Sequence, residues 1–236
     1  MGPWLPLLLA GSSVMAQPAL APKEALGKAI FFDTRLSQPA GQSCASCHDP
    51  RTGWTAPLSN APGSIEGAVP GRFGNRKPPS AAYAGWTPRL HRNAEGDYVG
   101  GLFWDGRATG HRREILAEQA EGPFLNPLEH ALPDRTTLAE LVRTAPYAAT
   151  FAKVWKLTPG DWSSVDRIFR LTADSLAAYE RSREVNPFDS PFDDFWRAAR
   201  RKGLDITAIR PGNVARSSAL GLSTQERPGP ADHPPP

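Results

Sequence analysis

The sequence predicts a mainly α-helical protein. Wherever a hydrophobic period is clear, apolar residues recur three and four positions apart, which is the spacing of one face of an α-helix. No segment shows alternating apolar and polar residues between hairpin turns, so a sheet is not expected. With 40% hydrophobic and 22% charged residues among 236, the composition is typical of a globular chain with a substantial core.

Three predicted helices have identifiable ends. The segment PKEALGKAIFF begins at Pro22, because proline suits the first turn of a helix. The segment HRREILAEQAEGP is expected to stop at Gly122 and Pro123, since both residues disfavour a continuing helix. In RTTLAELVRTA, either Thr136 or Thr137 is the expected N-cap, because its hydroxyl can accept a hydrogen bond from the first turn.

The strongest helical pattern lies in SSVDRIFRLTADSLAAYERS. Its stripe consists of Val165, Ile168, Phe169, Thr172, Leu176 and Tyr179. A last helix, FDDFWRAARRKG, ends in cationic residues and a glycine, as helix C-termini favour. Between the helices, residues 49 to 110 form a Pro/Gly-rich connection that exceeds ordinary loop lengths, as expected of a functional loop or one wrapped around a large group. Residues 227 to 236 are proline-rich and expected to be disordered.

Residues 1 to 16 resemble an export signal peptide. A short apolar run, WLPLLLA, precedes small residues and a Val-Met-Ala sequence that suits cleavage after Ala16. The run is too short to span a bilayer as a helix, so we expect a periplasmic location and no stable membrane span. The alternative is a disordered or packed N-terminus. Cleavage would remove Met1 and Met15, the two methionines of the sequence.

The charge distribution does not favour a nucleic-acid partner. The formal net charge is +3, and the lysine and arginine residues are scattered along the chain. Proteins that bind nucleic acid usually concentrate cationic residues on one face or helix. Nucleic acid is therefore not an expected partner.

The segment SCASCHDP, residues 43 to 50, holds the two cysteines of the sequence, Cys44 and Cys47, and His48 directly after them. The pattern C-x-x-C-H is the attachment sequence of c-type haem. In that chemistry the two thiols add across the haem vinyl groups, and the histidine takes one axial position on the iron. The sequence therefore predicts one covalent haem c, with His48 as an iron ligand.

Three other interpretations of the motif compete with haem. A redox pair of the C-x-x-C type usually opens a helix in a βαβ unit, and no predicted strand precedes Cys44. A structural zinc site needs four ligands, and the sequence offers no second pair of cysteine or histidine residues. A disulfide between Cys44 and Cys47 would be strained and would leave His48 unexplained.

The second axial position of a haem decides between two kinds of function. A firm sixth ligand favours electron transfer, whereas an open position admits peroxide. With methionine removed by cleavage, water or one of four histidines is the candidate ligand; these are His91, His111, His130 and His233.

Four further segments, one before the C-x-x-C-H motif and three after it, help to classify the sequence. These are LGKAIFFDTRLS, NRKPPSAAYA at 75 to 84, GGLFWDGRA at 100 to 108, and EQAEGPFLNPLEHA at 118 to 131. Together with C-x-x-C-H they resemble the bacterial dihaem cytochrome c peroxidase family, which includes the MauG-type enzymes. The resemblance covers about residues 22 to 195.

The resemblance implies a fold and a set of site residues. It implies a cytochrome c-like haem domain at 17 to 134 that carries the peroxidatic haem, followed at 135 to 226 by the helical start of a second, incomplete cytochrome c-like domain. By the same resemblance, Trp104 of FWDGR relays electrons, Glu129 is the acid/base at the distal face, and Gln119 is its neighbour there. A carboxylate over the iron is chemically suited to move protons within bound peroxide. Without the resemblance, the sequence favours a solvated or helix-capping role for Glu129, and Trp104 is also consistent with a core aromatic.

The sequence also departs from the family pattern. No cysteine follows Cys47, so the second haem motif is missing and one haem is expected. His130 stands where the family commonly has methionine, which makes it a candidate second axial ligand. Lys77 stands where the family has an asparagine that helps to bind calcium, and a cation opposes calcium binding.

Three functions follow from these observations. The first is a periplasmic haem peroxidase that reduces hydrogen peroxide with electrons from a donor cytochrome, another redox protein or a quinol, with a homodimer as a further arrangement. The second is a monohaem electron carrier whose iron has two histidine ligands. The third is a non-functional remnant that lost its second domain.

Overall fold

The computed structural model describes residues 19–57 and 64–208. The expected signal peptide and the proline-rich tail lie outside these residues. The chain divides into two compact units, one ending at Asn186 and the other beginning at Pro187. The boundary expected at residue 134 falls inside the first unit; as a division between two haem domains it stays a prediction.

The described residues confirm the mainly α fold class. Their α-helices are α1 (Pro22–Phe31), α2 (Cys44–Cys47), α3 (Ile115–Leu125), α4 (Arg135–Arg143), α5 (Ala148–Trp155), α6 (Val165–Glu180) and α7 (Pro191–Arg201). One short antiparallel pair departs from the expectation of no sheet. It joins β1 (His91–Arg92) to β2 (Tyr98–Val99), with His91 opposite Val99. Two residues per strand are too few to show the alternation by which a strand is recognised.

Two predicted helix boundaries are wrong. Helix α3 continues through Gly122 and Pro123 to Leu125, because Phe124 beyond them is buried against the core, with its ring 6.2 Å from that of Phe169. Burial of this aromatic ring offsets the hydrogen bond that the proline removes.

Helix α4 begins two residues earlier than a cap at Thr136 would place it, and three earlier than a cap at Thr137. Asp134 is its N-cap, and its carboxylate accepts a hydrogen bond of 2.8 Å from the backbone N–H of Thr137. Aspartate is at least as favourable as threonine at this position. Thr137 instead donates its hydroxyl to Asp134.

Helix α6 is the centre of the first unit. It packs against α1, α3 and α4. The stripe predicted from its period is largely confirmed, because Ile168, Phe169, Leu176 and Tyr179 are all at most 1% exposed. The C-terminal end of α6 thereby reaches the region where α1 and the C-x-x-C-H segment meet the core.

Helices α1 and α6 approach closely at Gly27. A Cβ atom at this position would lie 1.9 Å from the carbonyl oxygen of Ser175 and 2.8 Å from Cβ of Tyr179. Only glycine therefore fits between the two helices here.

We expect Gly27→Ala to lower the free energy of unfolding by about 3 kcal/mol, because the added methyl group must push the two helices apart. Chemical denaturation monitored by circular dichroism measures this change. Gly160→Ala is the matched control, since its Cβ atom would meet nothing closer than 4.0 Å. Equal stability of the two variants would contradict the close packing of α1 on α6.

A buried carboxylate fixes the loop before α3. Glu118, on α3, accepts hydrogen bonds from the backbone N–H groups of Thr109 (3.2 Å) and Gly110 (3.0 Å), and its side chain is 2% exposed. The loop that ends there contains Trp104 and Arg107. This contact therefore positions the segment that forms one wall of the site described below.

The second unit contains α7. Pro191 occupies the first turn of this helix, and Ser190 is the N-cap, accepting a hydrogen bond of 3.2 Å from the N–H of Asp193. Phe195 and Ala199 are buried. Within 19–57 and 64–208, no helix combines the length and the apolar character that crossing a membrane requires.

Candidate functional site

The C-x-x-C-H segment forms one wall of a cavity of about 390 Å³. Cys44 and Cys47 are the ends of the single turn α2, and the N–H of His48 donates to the carbonyl of Cys44 at 2.9 Å. This turn places both thiols and the imidazole on the same cavity. Both thiols are free, so the segment is not closed by a disulfide in this structure.

Burial holds both thiols in the protonated form. It raises the pKa of Cys44, and the carboxylates of Glu180 and Glu129 add to the effect together with Cys47. It also raises the pKa of Cys47 to about 11, although a hydrogen bond of 3.2 Å from the amide of Gln42 opposes the change. The folded chain without haem therefore presents two thiols and no thiolate at neutral pH.

The imidazole of His48 is suited to bind a metal. Its Nδ1 lies 3.2 Å from the carbonyl oxygen of Trp54, a contact that orients the ring and favours a proton on Nδ1. Burial lowers the pKa of His48 by more than the carbonyls of Trp54 and Pro79 raise it. A neutral imidazole with its Nδ1 engaged leaves Nε2 as the nitrogen for an iron ion.

His130 lines the same cavity. It is 3% exposed, and its Nδ1 lies 2.6 Å from the carbonyl oxygen of Leu36. The ring of Phe124 lies edge-on at 5.4 Å. Burial lowers the pKa of His130, and the neighbouring His48 lowers it further, against the effect of the Leu36 carbonyl. Two neutral imidazoles thus share one cavity.

The other candidate histidines are not at this cavity. His91 and His111 are exposed, and each engages a backbone carbonyl at 2.8 Å, those of Arg89 and Leu90 respectively. His233 lies outside the described residues. Among the sequence candidates in the described part of the chain, only His130 is brought to His48.

Glu129 also lines the cavity. The amide of Asn126 donates to its Oε1 at 2.7 Å. Burial raises the pKa of Glu129, and this exceeds the lowering by Arg107 and by the Asn126 amide. The Asn126 amide therefore orients the carboxyl, and burial brings its pKa closer to neutral pH than that of an exposed glutamate. A group that accepts and returns protons requires both properties.

Gln119 and Trp104 complete the predicted set at the same cavity. Gln119 comes from α3. Trp104 is 66% exposed, and its indole N–H donates to the carbonyl of Lys77 at 2.7 Å. Trp104 is therefore not a core aromatic; it connects the cavity to the surface.

Cavity residues that the sequence analysis missed include two arginines. Arg76 and Arg107 both pair with Asp105, at 2.8 and 2.9 Å, and all three residues line the cavity beside Lys77. Asp105 and Arg107 could have been predicted as site residues, because they belong to the FWDGRA segment that contains Trp104. No feature of the sequence marked Gln42 as a site residue.

Gln42 has an unsatisfied group at the cavity. Its Nε2 donates to Cys47, but its Oε1 is buried with no hydrogen-bond partner among the described residues. A buried acceptor without a donor is rare in folded proteins and points to a partner that the protein atoms do not supply.

The cavity residues fit a haem group. Cys44 and Cys47 would hold it by thioether bonds, and His48 would ligate its iron. Arg76, Lys77 and Arg107 offer the cationic groups that the two haem propionates favour. Within the described part of the chain, no three His, Cys, Asp or Glu side chains are grouped as ligands of a separate metal ion.

Glu180, at the end of α6, lines this cavity and an adjoining one of about 330 Å³. The residue is 7% exposed, and its carboxyl makes no hydrogen bond or ion pair within residues 19–57 and 64–208. Burial, with a smaller contribution from Glu114, raises the pKa of Glu180 to about 8. The walls shared by the two cavities also include His48, Phe103, Trp104 and Gln119.

We expect Glu180→Gln to remove a pH dependence of stability. The folded chain keeps the Glu180 proton up to about pH 8, whereas the unfolded chain releases it near the ordinary value of 4.5. The free energy of unfolding of the parent therefore decreases as the pH rises from about 4.5 to about 8, by at most about 1.4 kcal/mol per pH unit. Glu180→Gln should lack this decrease. Urea denaturation at pH 5 and pH 8 measures it.

In that experiment the stability of Glu180→Gln relative to the parent should increase by about 2 kcal/mol or more from pH 5 to pH 8. Glu140→Gln, at an exposed position on α4, is the control and should show no such trend. A pH-independent difference between Glu180→Gln and the parent would contradict a buried, protonated Glu180.

Comparison with known proteins agrees with the site. Residues 21–201 match the family model described as di-haem cytochrome c peroxidase. The methylamine utilization protein MauG of Paracoccus denitrificans is 39% identical over 199 residues, which are 81% of this chain and 49% of that protein. The cytochrome c551 peroxidase of Pseudomonas aeruginosa is 31% identical over 203 residues, which are 82% of this chain and 49% of that protein.

A solved structure has a similar fold. The diheme peroxidase BthA of Burkholderia thailandensis aligns with a TM-score of 0.66 and 32% identity, over 90% of this chain and 52% of that one. The chain thus spans about half the length of these relatives. The resemblance seen in the sequence motifs is confirmed, and the chain belongs to the di-haem cytochrome c peroxidase family.

Proposed function

We propose that this chain is a periplasmic c-type haem protein that reduces hydrogen peroxide with electrons from a donor cytochrome, another redox protein or a quinol. The observation that carries the proposal is the joint placement of Cys44, Cys47, His48 and Glu129 on one cavity. One haem per chain is part of the proposal, because Cys44 and Cys47 form the single attachment pair of the sequence.

The proposed reaction converts hydrogen peroxide, two electrons and two protons into two water molecules. The bound haem supplies the redox-active iron. Glu129 takes a proton from the near oxygen of peroxide and returns it to the leaving oxygen. The amide of Asn126 orients the carboxyl during both transfers.

Trp104 is the proposed point of electron entry. Its ring lines the cavity and is 66% exposed, so a donor protein at the surface can approach it without any movement of the chain. The hydrogen bond from its indole N–H to Lys77 holds the ring in place. A second copy of the chain as a homodimer is compatible with this route and belongs to the proposal.

A monohaem electron carrier is the second candidate, and one specific observation favours it. His130 shares the cavity with His48 and has its Nδ1 engaged by a carbonyl in the same way. If both Nε2 atoms bind iron, the distal position is closed to peroxide and the chain only transfers electrons.

Absorption spectroscopy of the exported protein tests both candidates. Oxidised, reduced and peroxide-treated samples are compared, and a pyridine haemochrome gives the number of haems per chain. One c-haem with a high-spin ferric spectrum that changes with peroxide supports the peroxidase. A low-spin spectrum inert to peroxide, which becomes high-spin in His130→Ala, supports the carrier. A chain without haem contradicts both and supports a remnant.

The periplasmic location has its own test. Expression in a host that matures c-type cytochromes should yield a periplasmic protein whose N-terminus is Gln17. Haem-loaded protein with residues 1 to 16 still attached would contradict the proposed cleavage after Ala16.

A further inference from the structure

A group of aromatic rings connects the His48 segment with helix α6. The carbonyl of Trp54 accepts the hydrogen bond from His48, and the Trp54 ring lies 5.9 Å from the Tyr179 ring at an angle of 70°. Phe31 lies against both rings, at 5.8 and 5.4 Å. These distances are those of aromatic side chains in edge-to-face contact. Trp54 and Tyr179, at 9% and 0% exposure, are both buried.

Tyr179 has a carboxylate as the partner of its hydroxyl. Its O–H donates to Oε1 of Glu184 at 2.9 Å. Lys28 pairs with the same Oε1, at 2.5 Å, near the surface, where the side chains of Glu184 and Lys28 are 31% and 44% exposed. Burial of the ring, and the hydrogen bond to Glu184, raise the pKa of Tyr179. The phenol therefore keeps its proton at neutral pH until an electron is removed from the ring.

Oxidation of a buried phenol requires a proton acceptor within hydrogen-bond distance. A phenol that loses one electron becomes strongly acidic, and Glu184 is already in hydrogen-bond contact to accept the proton. Trp54 lies between Tyr179 and the backbone contact that orients His48. Trp54 thus lies between the His48 segment and Tyr179, and the same tyrosine has a proton acceptor.

From this arrangement we infer that Tyr179 is a redox-active residue, which supplies one electron through Trp54 when peroxide is reduced without an external donor. In this step the O–H bond of Tyr179 breaks, the proton moves to Oε1 of Glu184, and a neutral tyrosyl radical remains. The bound haem, in its ferrous form, supplies the other electron and becomes ferric, and two protons from solvent complete two water molecules. The inference rests on the proposed peroxidase function.

Tyr147 provides a matched comparison. It is also buried, and it donates to a carboxylate, Asp33, at 2.7 Å. Arg35 binds that carboxylate through two nitrogens, at 2.8 and 2.6 Å. Although burial raises the pKa of Asp33, hydrogen bonds from Arg35 and Tyr147 hold it below its usual value. Glu184 is also paired with a cation, but through one contact at a partly exposed position. Asp33, held by two contacts to Arg35, is therefore the weaker acceptor of a phenolic proton.

Electron paramagnetic resonance tests the inference. Haem-loaded parent, Tyr179→Phe and Tyr147→Phe proteins, with the haem reduced to the ferrous form, are mixed with one equivalent of hydrogen peroxide, without donor, and frozen. The parent and Tyr147→Phe should give a tyrosyl radical signal that changes when the protein is made with ring-deuterated tyrosine. The signal in Tyr179→Phe should be at least tenfold weaker. Haem content and circular dichroism check that each variant is folded.

Two further variants test whether the electron passes through Trp54 and the proton moves to Glu184. Trp54→Phe keeps an aromatic ring that is harder to oxidise, and Glu184→Gln removes the proton acceptor while keeping a side chain of the same size. Both should lower the yield of the tyrosyl radical without changing the number of tyrosines. A radical of parental yield in both variants would contradict the route.

The outcomes separate this inference from the proposed function. If Tyr179→Phe consumes peroxide and still gives the parental tyrosyl signal, the inference is wrong and the peroxidase function stands. If none of the proteins consumes peroxide, the proposed function is wrong and the inference falls with it.

Discussion

Replacing both Cys44 and Cys47 with serine is expected to abolish covalent haem attachment. Serine hydroxyls do not add to haem vinyl groups, and the chain then retains only the axial contact of His48. The expected result, in a host that matures c-type cytochromes, is a protein that loses its haem in denaturing electrophoresis. Haem staining of the gel and the intact mass of the chain show whether haem is still covalently attached.

The control for this experiment is Ala45→Ser, which introduces a serine into the same turn and leaves both thiols in place. It should retain one covalent haem. Parental haem staining in the double cysteine variant would show that the cavity binds its group by another chemistry, and would exclude the c-type assignment.

Glu129→Gln is expected to lower kcat/KM for hydrogen peroxide by a factor of about 10² to 10⁴, the usual contribution of a positioned acid/base group. The substitution keeps the size of the side chain and a polar group near Asn126, but the amide cannot take a proton. Stopped-flow mixing with peroxide measures the loss. Glu140→Gln, on the exposed face of α4, should remain within a factor of two of the parent.

The pH dependence gives a second measure of the same residue. Because burial raises the pKa of Glu129, the rate of the parent should fall as the pH drops through a value above that of an exposed glutamate. Glu129→Gln should lack this decrease. A variant as fast as the parent at neutral pH would contradict the acid/base role.

Much of the helical fold follows from short-range patterns. The stripe of α6 and the proline start of α1 are visible in the sequence because a helix repeats its environment every three to four residues. The cap of α4 was missed because two threonines, two and three positions after Asp134, are also favourable N-cap residues. Helix α5 was missed because eight residues contain little more than two turns.

The residues of the functional site are harder to predict from short-range sequence patterns. Cys44, Cys47 and His48 are contiguous, so their chemistry could be read directly. The resemblance singled out His130 as a candidate ligand, but the residues alone did not separate it from His91 and His111, because its position depends on a contact with the carbonyl of Leu36, 94 positions away in the chain. Glu180 looks like the polar end of a helix in the sequence, and its burial depends on how α6 meets the cavity.

The buried thiols also bear on the proposed periplasmic location, because an oxidising compartment would act on them before haem is attached. Disulfide formation proceeds through a thiolate, and its rate falls as the thiolate fraction falls. With the pKa of Cys47 raised to about 11 and that of Cys44 raised as well, a folded chain without haem reacts slowly with oxidants at neutral pH. In the proposed periplasmic location, the fold would thereby delay a disulfide between Cys44 and Cys47 and extend the time during which haem can be attached.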